Sequence, residues 1–425
     1  MRNWSRSIFY ALGVATLAIV MVACGNSTPT TGSSGLNPRT LCIATDFPIS
    51  GTDGSSGQPA ENGADLAVRE NLNLGHGYTL QVRNFDDVSP STGEHDPTTG
   101  AQNVQAMIAQ SCIMAMVGPF NSNVAGAEIP VAVNAGLAMI SPANTNPGLT
   151  LKQYAAANNF NFNNLHPAGK PNVYFRIPAN DVVQGKVDAD LTINPTSQGG
   201  LGASKVYVVD DTEVYGKGLA DFFVQEFTAK GGTVLGRDEI TSNSGSQLPQ
   251  LAAKIISMHP DAVFYGGVTA NDGGLLKAAL VTAGFTGPMV GGDGIAGDPG
   301  YLTQAGAAAN NTYGTVAAPD LSTFTSGPQK QFVADYKNAF GTDPITYSAN
   351  SFDAAMIEIQ AIKNLINAGT DPSRSGVVAQ IAKIQYDGVT GHINFDQNGD
   401  NAGNKVFSIY QVVNGEWKFV TSVNA

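Results

Sequence analysis

CIMAMVGPFNSNVAGAEIPVAVNAGLAMISPANT, residues 112–145, reads as strand, helix and strand in succession. CIMAMVGPF is a short apolar run closed by Gly118 and Pro119. VAGAEIPVAVNAG carries apolar residues at helical spacing and stops at Gly136, and LAMISPA is a second short apolar run. The same alternation extends toward the N-terminus. TLCIATDFPISG (40–51) reads as a strand and turn, PAENGADLAVREN (59–71) as a helix, YTLQVRNFDD (78–87) as a strand and TTGAQNVQAMIAQ (98–110) as a helix. Four such strands with helical crossovers predict a parallel, doubly wound α/β sheet.

Toward the C-terminus the pattern starts again. KVYVVDD, YGKGLADFFVQEFTAKGG, TVLGRDEI, LPQLAAKIISMHP, DAVFYGG, GGLLKAALVTAGF and PMVGGDG predict a second sheet of the same kind over 178–317. Between the two halves, KQYAAANNFNFNNLHPAGKPN (152–172) is rich in Asn and aperiodic, and reads as a surface insertion. Two further helices follow, QKQFVADYKNAFG and SFDAAMIEIQAIKNLINAG. After them GHINFDQNGD and NKVFSIYQVVNGEWKFV read as strand-turn-strand with Asn-Gly turns.

At the N-terminus, Arg2 and Arg6 precede an apolar stretch with small residues before Cys24, the layout of a secretory signal over 1–23. Met21, Val22, Ala23 and Cys24 resemble the lipobox of bacterial lipoproteins, which implies cleavage before Cys24 and lipid on its sulfur. The alternative is an uncleaved membrane-spanning helix, for which the run is barely long enough. Residues 24–37, rich in Gly, Ser, Thr and Pro, read as a flexible tether, which puts the folded part outside the cytoplasm. The rest of the chain exceeds what one hydrophobic core supports, so two domains are expected.

The net charge of the whole sequence is −12; without Arg2 and Arg6 it becomes 20 − 34 = −14. An acidic chain without basic clusters argues against nucleic acid and anionic lipid surfaces as partners. Cys42 and Cys112 both begin apolar strand patterns in an oxidising compartment. Neighbouring parallel strands would bring them together as a disulfide, the alternative being two buried thiols.

In open doubly wound sheets ligands bind outside the carboxyl ends of the strands. SPANT (141–145), GPFNSN (118–123), DDTEVYGKG (210–218), FYGGVTAND (264–272) and GGDGIAGD (291–298) all stand at such ends. They combine small residues with hydroxyls or carboxylates, a composition suited to a small polar molecule held by main-chain groups.

From about residue 39 to the end, broken mainly by the Asn-rich insertion, the chain resembles the substrate-binding proteins of branched-chain amino acid ABC transporters. These are the leucine/isoleucine/valine-type members of the type I periplasmic binding proteins. The likeness rests on ISGTDGSSGQPAENGADLAV, on GPFNSN followed by GLAMISPANTNPGLT, on VYGKGLADFF, on FYGGVTAND followed by GGDGIAGD, and on INFDQNGD, in that order and spacing. It implies two Rossmann-like lobes joined by three crossovers that close on a ligand. The expected lobes are 38–176 with 318–388, and 177–317 with 389–425.

It also implies a site. Ser122, Ala143 and Thr145 would hold a ligand carboxylate with Asn144 among the ligand-binding residues beside them, Asp293 its ammonium, and Tyr215 would close over it from the second lobe. Two positions depart from the family pattern: its first-loop aromatic falls on Ser56, and the tyrosine after Tyr-Gly-Gly falls on Val268 or Thr269. Losing two rings implies a larger or wetter side-chain compartment.

Read without the family, Ser122 and Thr145 could cap helices, Asp293 could cap the next helix, and Tyr215 could be an ordinary half-buried phenol. FDQNGDN resembles a calcium loop, but the twelfth position from Asp396 is Phe407, which favours a hairpin turn. GDGIAG (292–297) fits a dinucleotide fingerprint with Asp320 at ribose distance. There, however, Asp293 would face a pyrophosphate, and the following crossover is short for a helix. The five histidines show no metal-binding spacing.

The sequence therefore predicts a lipid-anchored, monomeric receptor, not an enzyme, with neither cofactor nor metal. It would capture an amino acid and deliver it to a permease and ATPase in the membrane. Amides, ureas, short-chain acids and a sensor role are the alternatives.

Overall fold

The computed structural model describes residues 36–345, 347–403 and 405–424. The expected signal 1–23, Cys24 and the tether up to residue 35 lie outside them. Among the described residues no helix is long and apolar enough to cross a membrane.

The first run of elements is β1 (Thr40–Phe47), α1 (Gly54–Arg69), β2 (Asn73–Gly75), β3 (Tyr78–Asp86), α2 (Pro97–Ala109), β4 (Ile113–Val117), α3 (Ser122–Ala135) and β5 (Ala138–Ser141). The short α4 (Lys152–Ala155) and α5 (Phe162–Leu165) then lead to β6 (Tyr174–Arg176). These strands form one sheet in the order β2-β3-β1-β4-β5-β6, parallel except at β2. β4 and β5 are buried along their whole length because helices cover both faces, so their sequences read as unbroken apolar runs. β3, near the edge, instead alternates buried Tyr78 and Leu80 with exposed Thr79 and Gln81.

The second run is α6 (Asp181–Ile193), β7 (Lys205–Asp210), α7 (Val214–Ala229), β8 (Thr233–Glu239), α8 (Leu248–Ser257), β9 (Ala262–Gly266), α9 (Gly273–Thr282), β10 (Met289–Gly291), α10 (Pro299–Ala305) and β11 (Thr312–Val316). The chain then returns to the first lobe for α11 (Gly327–Phe340), α12 (Ser348–Asn367), α13 (Arg374–Ile381) and the hairpin β12 (Tyr386–Gly388)–β13 (Gly391–Ile393). It ends with β14 (Val406–Val413) and β15 (Glu416–Asn424), which complete a seven-stranded sheet of order β15-β14-β11-β10-β9-β7-β8. Asn414 (φ 54°) and Gly415 (φ 75°) make the tight turn between the last two strands, as the Asn-Gly pair predicts.

The molecule thus has the expected two α/β lobes joined by three crossovers. The last crossover lies later than the 388/389 boundary read from the sequence. Position 389 falls inside the β12–β13 hairpin, and Val389, Ile393 and Phe395 pack in the first lobe's core. The Asn-rich insertion also differs from its reading as pure surface: Ala155, Asn158 and Leu165 are buried, and Tyr154 meets Phe222 of α7 edge-on.

Cys42 and Cys112 form a disulfide across a sequence separation of 70. Closing a loop of that length restricts the unfolded chain by ~4 kcal/mol in the chain-entropy account.

Candidate functional site

The first wall of the cleft is built at the ends of β4 and β5. Ser141 Oγ donates to Pro119 O (2.7 Å) and accepts the N–H groups of Ala143 (3.3 Å) and Asn144 (2.9 Å), which folds SPANT back on itself. Asn144 is turned away from the cleft: its Nδ2 donates to Phe120 O (2.7 Å) and its Oδ1 accepts from Tyr174 OH (2.9 Å). The far end of the loop is held by Arg176, which is fully buried. Its Nε donates to Asp400 Oδ1 (2.6 Å), Nη1 to Asn146 O (2.7 Å) and Nη2 to Thr150 Oγ1 (2.7 Å).

What this anchoring leaves for the cleft is a pair of hydroxyls. Thr145 is 1 % exposed; its Oγ1 makes no hydrogen bond of good geometry among the described residues, but it lies beside the buried Asp181 carboxyl, which it draws down. Ser122 Oγ only accepts a long bond from Asn146 N (3.5 Å), so its own hydrogen is free. Neither hydroxyl caps α3, whose N-cap is Asn121.

The opposite wall comes from the second lobe. Tyr215, in the first turn of α7, donates its hydroxyl to Asp293 Oδ1 (2.8 Å) and accepts from Gly294 N (3.0 Å). Asp293 does not cap α10, a role taken by Asp298. Its second oxygen, Oδ2, accepts from Tyr347 OH (2.6 Å), a residue just before α12 on the first-lobe side. Tyr347 has φ 65°, a left-handed conformation rarely adopted by an aromatic residue.

Burial raises the Asp293 carboxyl above its usual range, and the Tyr347, Tyr215 and Gln184 side chains draw it back down. Burial, then the Asp293 charge, pushes both phenols well up, so they stay protonated and donate. Behind them Asp181, at the start of α6, is fully buried, and neither oxygen has a bond of good geometry among the described residues; burial first and Asp293 second hold its carboxyl well above the usual range, against the Thr145 hydroxyl and Arg176.

The two glycines of YGKG have separate steric reasons. A Cβ on Gly216 would lie 2.4 Å from Gly266 O, and one on Gly218 would lie 2.8 Å from Asn158 Oδ1 and 2.9 Å from Asn146 Nδ2 of the first lobe. The first lets α7 seat on the end of β9; the second lets the lobes meet. Asn146 Nδ2 also donates across the cleft to Val214 O (2.8 Å).

Ser122, Ala143 and Thr145 on one side and Tyr215, Val268 and Asp293 on the other enclose a single cavity of about 30 Å³. Three expected residues lie outside it. Ser56 is not in its lining, while its neighbour Ser55 donates to Asp298 of the second lobe (2.8 Å). Thr269 donates its N–H to Gly294 O (3.0 Å) and supports the turn beneath the cavity. Asn144 is occupied as described.

The lining also includes Phe120, Asn121, Glu213, Gly294 and Tyr347, which the sequence reading did not assign. All but Tyr347 sit within quoted strand-end motifs and could have been found there; ITY (345–347) carries no such signal. A larger groove of about 550 Å³ runs beside Phe332 and Met356, but no unpartnered buried side chain lines it.

The sequence model of the periplasmic binding proteins matches residues 40–416. The chain belongs to that family. This periplasmic binding protein is 26% identical over 370 residues to the Leu/Ile/Val-binding protein BraC3 of Rhizobium johnstonii, covering 86% of this chain and 89% of the relative. Among solved structures it resembles the leucine binding protein LivK of Thermotoga maritima (TM-score 0.74, 26% identity, 90% of this chain and 99% of that one). It shares its fold with the substrate binding protein LivJ of Streptococcus pneumoniae, solved with isoleucine (TM-score 0.76, 24% identity, 91% of this chain and 100% of that one).

Beside the cavity this binding protein ties its lobes together through a buried histidine. His95 Nδ1 meets Asp53 Oδ2 (2.7 Å), and its Nε2 meets Glu213 Oε2 (2.9 Å) across the cleft. Burial alone would lower its pKa, but the Asp53 and Glu213 carboxylates outweigh burial and hold it well above the ordinary histidine value.

The dinucleotide reading finds no support here: GDGIAG runs into a turn rather than a helix, and Asp320 is taken by Tyr410 OH (2.7 Å) and Ser322 N (2.9 Å). Asp396 Oδ1 accepts the N–H groups of Asn398 (2.8 Å) and Asp400 (3.0 Å), which makes FDQNGDN a turn.

Proposed function

We propose that this protein is the extracytoplasmic solute receptor of an ABC transporter, which closes its lobes on a small amino acid and hands it to the permease. The observation that carries this reading is the pairing across one small cavity of buried hydroxyls with an acid. Ser122 presents a hydroxyl hydrogen without a partner among the described residues and Thr145 lines the cavity with it, which suits a carboxylate, and Asp293 lines the same cavity from the other lobe, which suits an ammonium. Bonds to charged groups contribute roughly 1.5–3 kcal/mol each, so three or four approach the ~8 kcal/mol of a micromolar complex before ordering costs. The amino acid named for BraC3 and LivK makes aliphatic side chains the first candidates.

Asp293 also supports a second reading. Its oxygens already accept two phenols, and burial favours its neutral form, so an amide or urea could take the ammonium's place. A thermal-shift screen over amino acids and amides separates the two, since a ligand at a hundredfold its Kd stabilises by about 2.7 kcal/mol. Amino acids are expected to raise the melting temperature. A shift with amides alone would replace the first reading with the second.

Anchoring through Cys24 after loss of residues 1–23, assembly with an ATPase-driven permease, a monomeric state and the absence of turnover belong to the same proposal. Mass spectrometry of the mature N-terminal peptide tests the lipid. Recovery of the ligand chemically unchanged tests whether it is bound rather than converted.

A further inference from the structure

Resting on the amino-acid reading, we propose that Glu213 and Asn121 make the side-chain end of this site a hydrogen-bond-accepting surface. The preferred guest is then an amino acid whose side chain carries a hydroxyl or primary amide, rather than a branched aliphatic one.

Both residues line the cavity. Asn121 is 7 % exposed; its Oδ1 has no partner among the described residues, and its Nδ2 makes no hydrogen bond there either, so the amide can accept from a guest and donate to it. Glu213 has already committed its other polar atoms. Its N–H donates to Asp211 Oδ1 (3.1 Å), its C=O accepts from Lys217 N (2.9 Å), and its Oε2 takes both His95 Nε2 (2.9 Å) and Asn123 Nδ2 (3.2 Å). Only Oε1 is left to meet a guest. Two side-chain oxygens without donors among the described residues, Asn121 Oδ1 and Glu213 Oε1, thus belong to residues that line the cavity, while the Ser122 hydroxyl is left to serve a carboxylate.

His95 matters to the choice of guest. Shared between Asp53 and Glu213, its ring occupies Glu213 Oε2 from inside the first lobe, so the guest meets the other oxygen, Oε1. A methyl group placed against the buried Asn121 oxygen leaves it unpaired. This is why a site shaped to bond a polar group discriminates strongly against its apolar isostere, whereas an apolar pocket tolerates a polar one.

The isosteric pairs threonine/valine and asparagine/leucine test this by calorimetry on the purified, intact protein. Threonine and asparagine are expected to bind at least about tenfold more tightly than valine and leucine. In Asn121→Leu and Glu213→Gln the ratio within each pair should fall toward one, while valine affinity is kept or improved. Equal or tighter binding of valine and leucine by the unaltered protein overturns the proposal without touching the amino-acid reading, as does a ratio that neither substitution moves. If none of the four binds, the proposal falls together with that reading.

Discussion

The two walls of the cleft solve opposite problems. On the first-lobe side the backbone is tied down at every turn, by Ser141, by Asn144 and by the buried fork of Arg176, and the Ser122 hydroxyl hydrogen it presents is left without a partner among the described residues. On the second-lobe side the functional group is already satisfied: Asp293 accepts one phenol from each lobe. The difference teaches how such a clamp divides its labour. The donor wall is held by bonds within its own lobe, whereas the acid wall is completed by a phenol from across the cleft, Tyr347.

That contrast can be broken from either side. Arg176→Leu leaves Asp400 without its ion partner and two loop acceptors without donors, so a loss of about 3–5 kcal/mol is expected in denaturant unfolding. Next in size, Asp293→Ala should weaken binding of an amino acid by about 2–5 kcal/mol in calorimetry, since closure would bury an unpaired ammonium. If it weakens an uncharged amide equally, Asp293 acts through Tyr347 rather than through the guest.

On the donor wall, Thr145→Val removes a hydroxyl that lies beside the buried Asp181 carboxyl. It should cost ~1.5–3 kcal/mol in ligand affinity while leaving the melting temperature of the free protein nearly unchanged.

The smallest expected effect concerns pH. His95 has a raised folded pKa, so its stabilising bond between the lobes is fully present below about 6.5 and is lost as pH rises through the folded value. The buried Asp46 and Glu61, each pushed up to about 7, add a fall of the same sign below that pH and nothing above it. The difference in melting temperature between the parent and His95→Gln should therefore shrink steadily above neutrality. A difference independent of pH would show that His95 packs rather than pairs.

Much of this architecture was legible in the sequence because its signals are local. Strands buried on both faces read as IMAMV and AVFYG, and helices between them show their apolar stripe. The Asn-Gly turn announces the last hairpin, and Cys42 and Cys112 stand at the starts of neighbouring strands. Ser122, Thr145, Tyr215 and Asp293, singled out by their places at strand ends and by likeness to a family, line one cavity. Ser56, Asn144 and Thr269 share those places but not the orientation, since a residue's neighbours along the turn decide whether its side chain faces the cleft or fastens the loop.

By itself the sequence determined two doubly wound lobes, the strand ends where a ligand could sit and the kind of chemistry those ends offer. Only the tertiary structure decided which groups meet: Tyr347 with Asp293, His95 with Glu213, and Arg176 with Asp400, 224 positions apart. Periodicity and turn composition report how one element buries its own face. Contacts between lobes depend on how two finished cores are turned toward each other, and no local pattern records that.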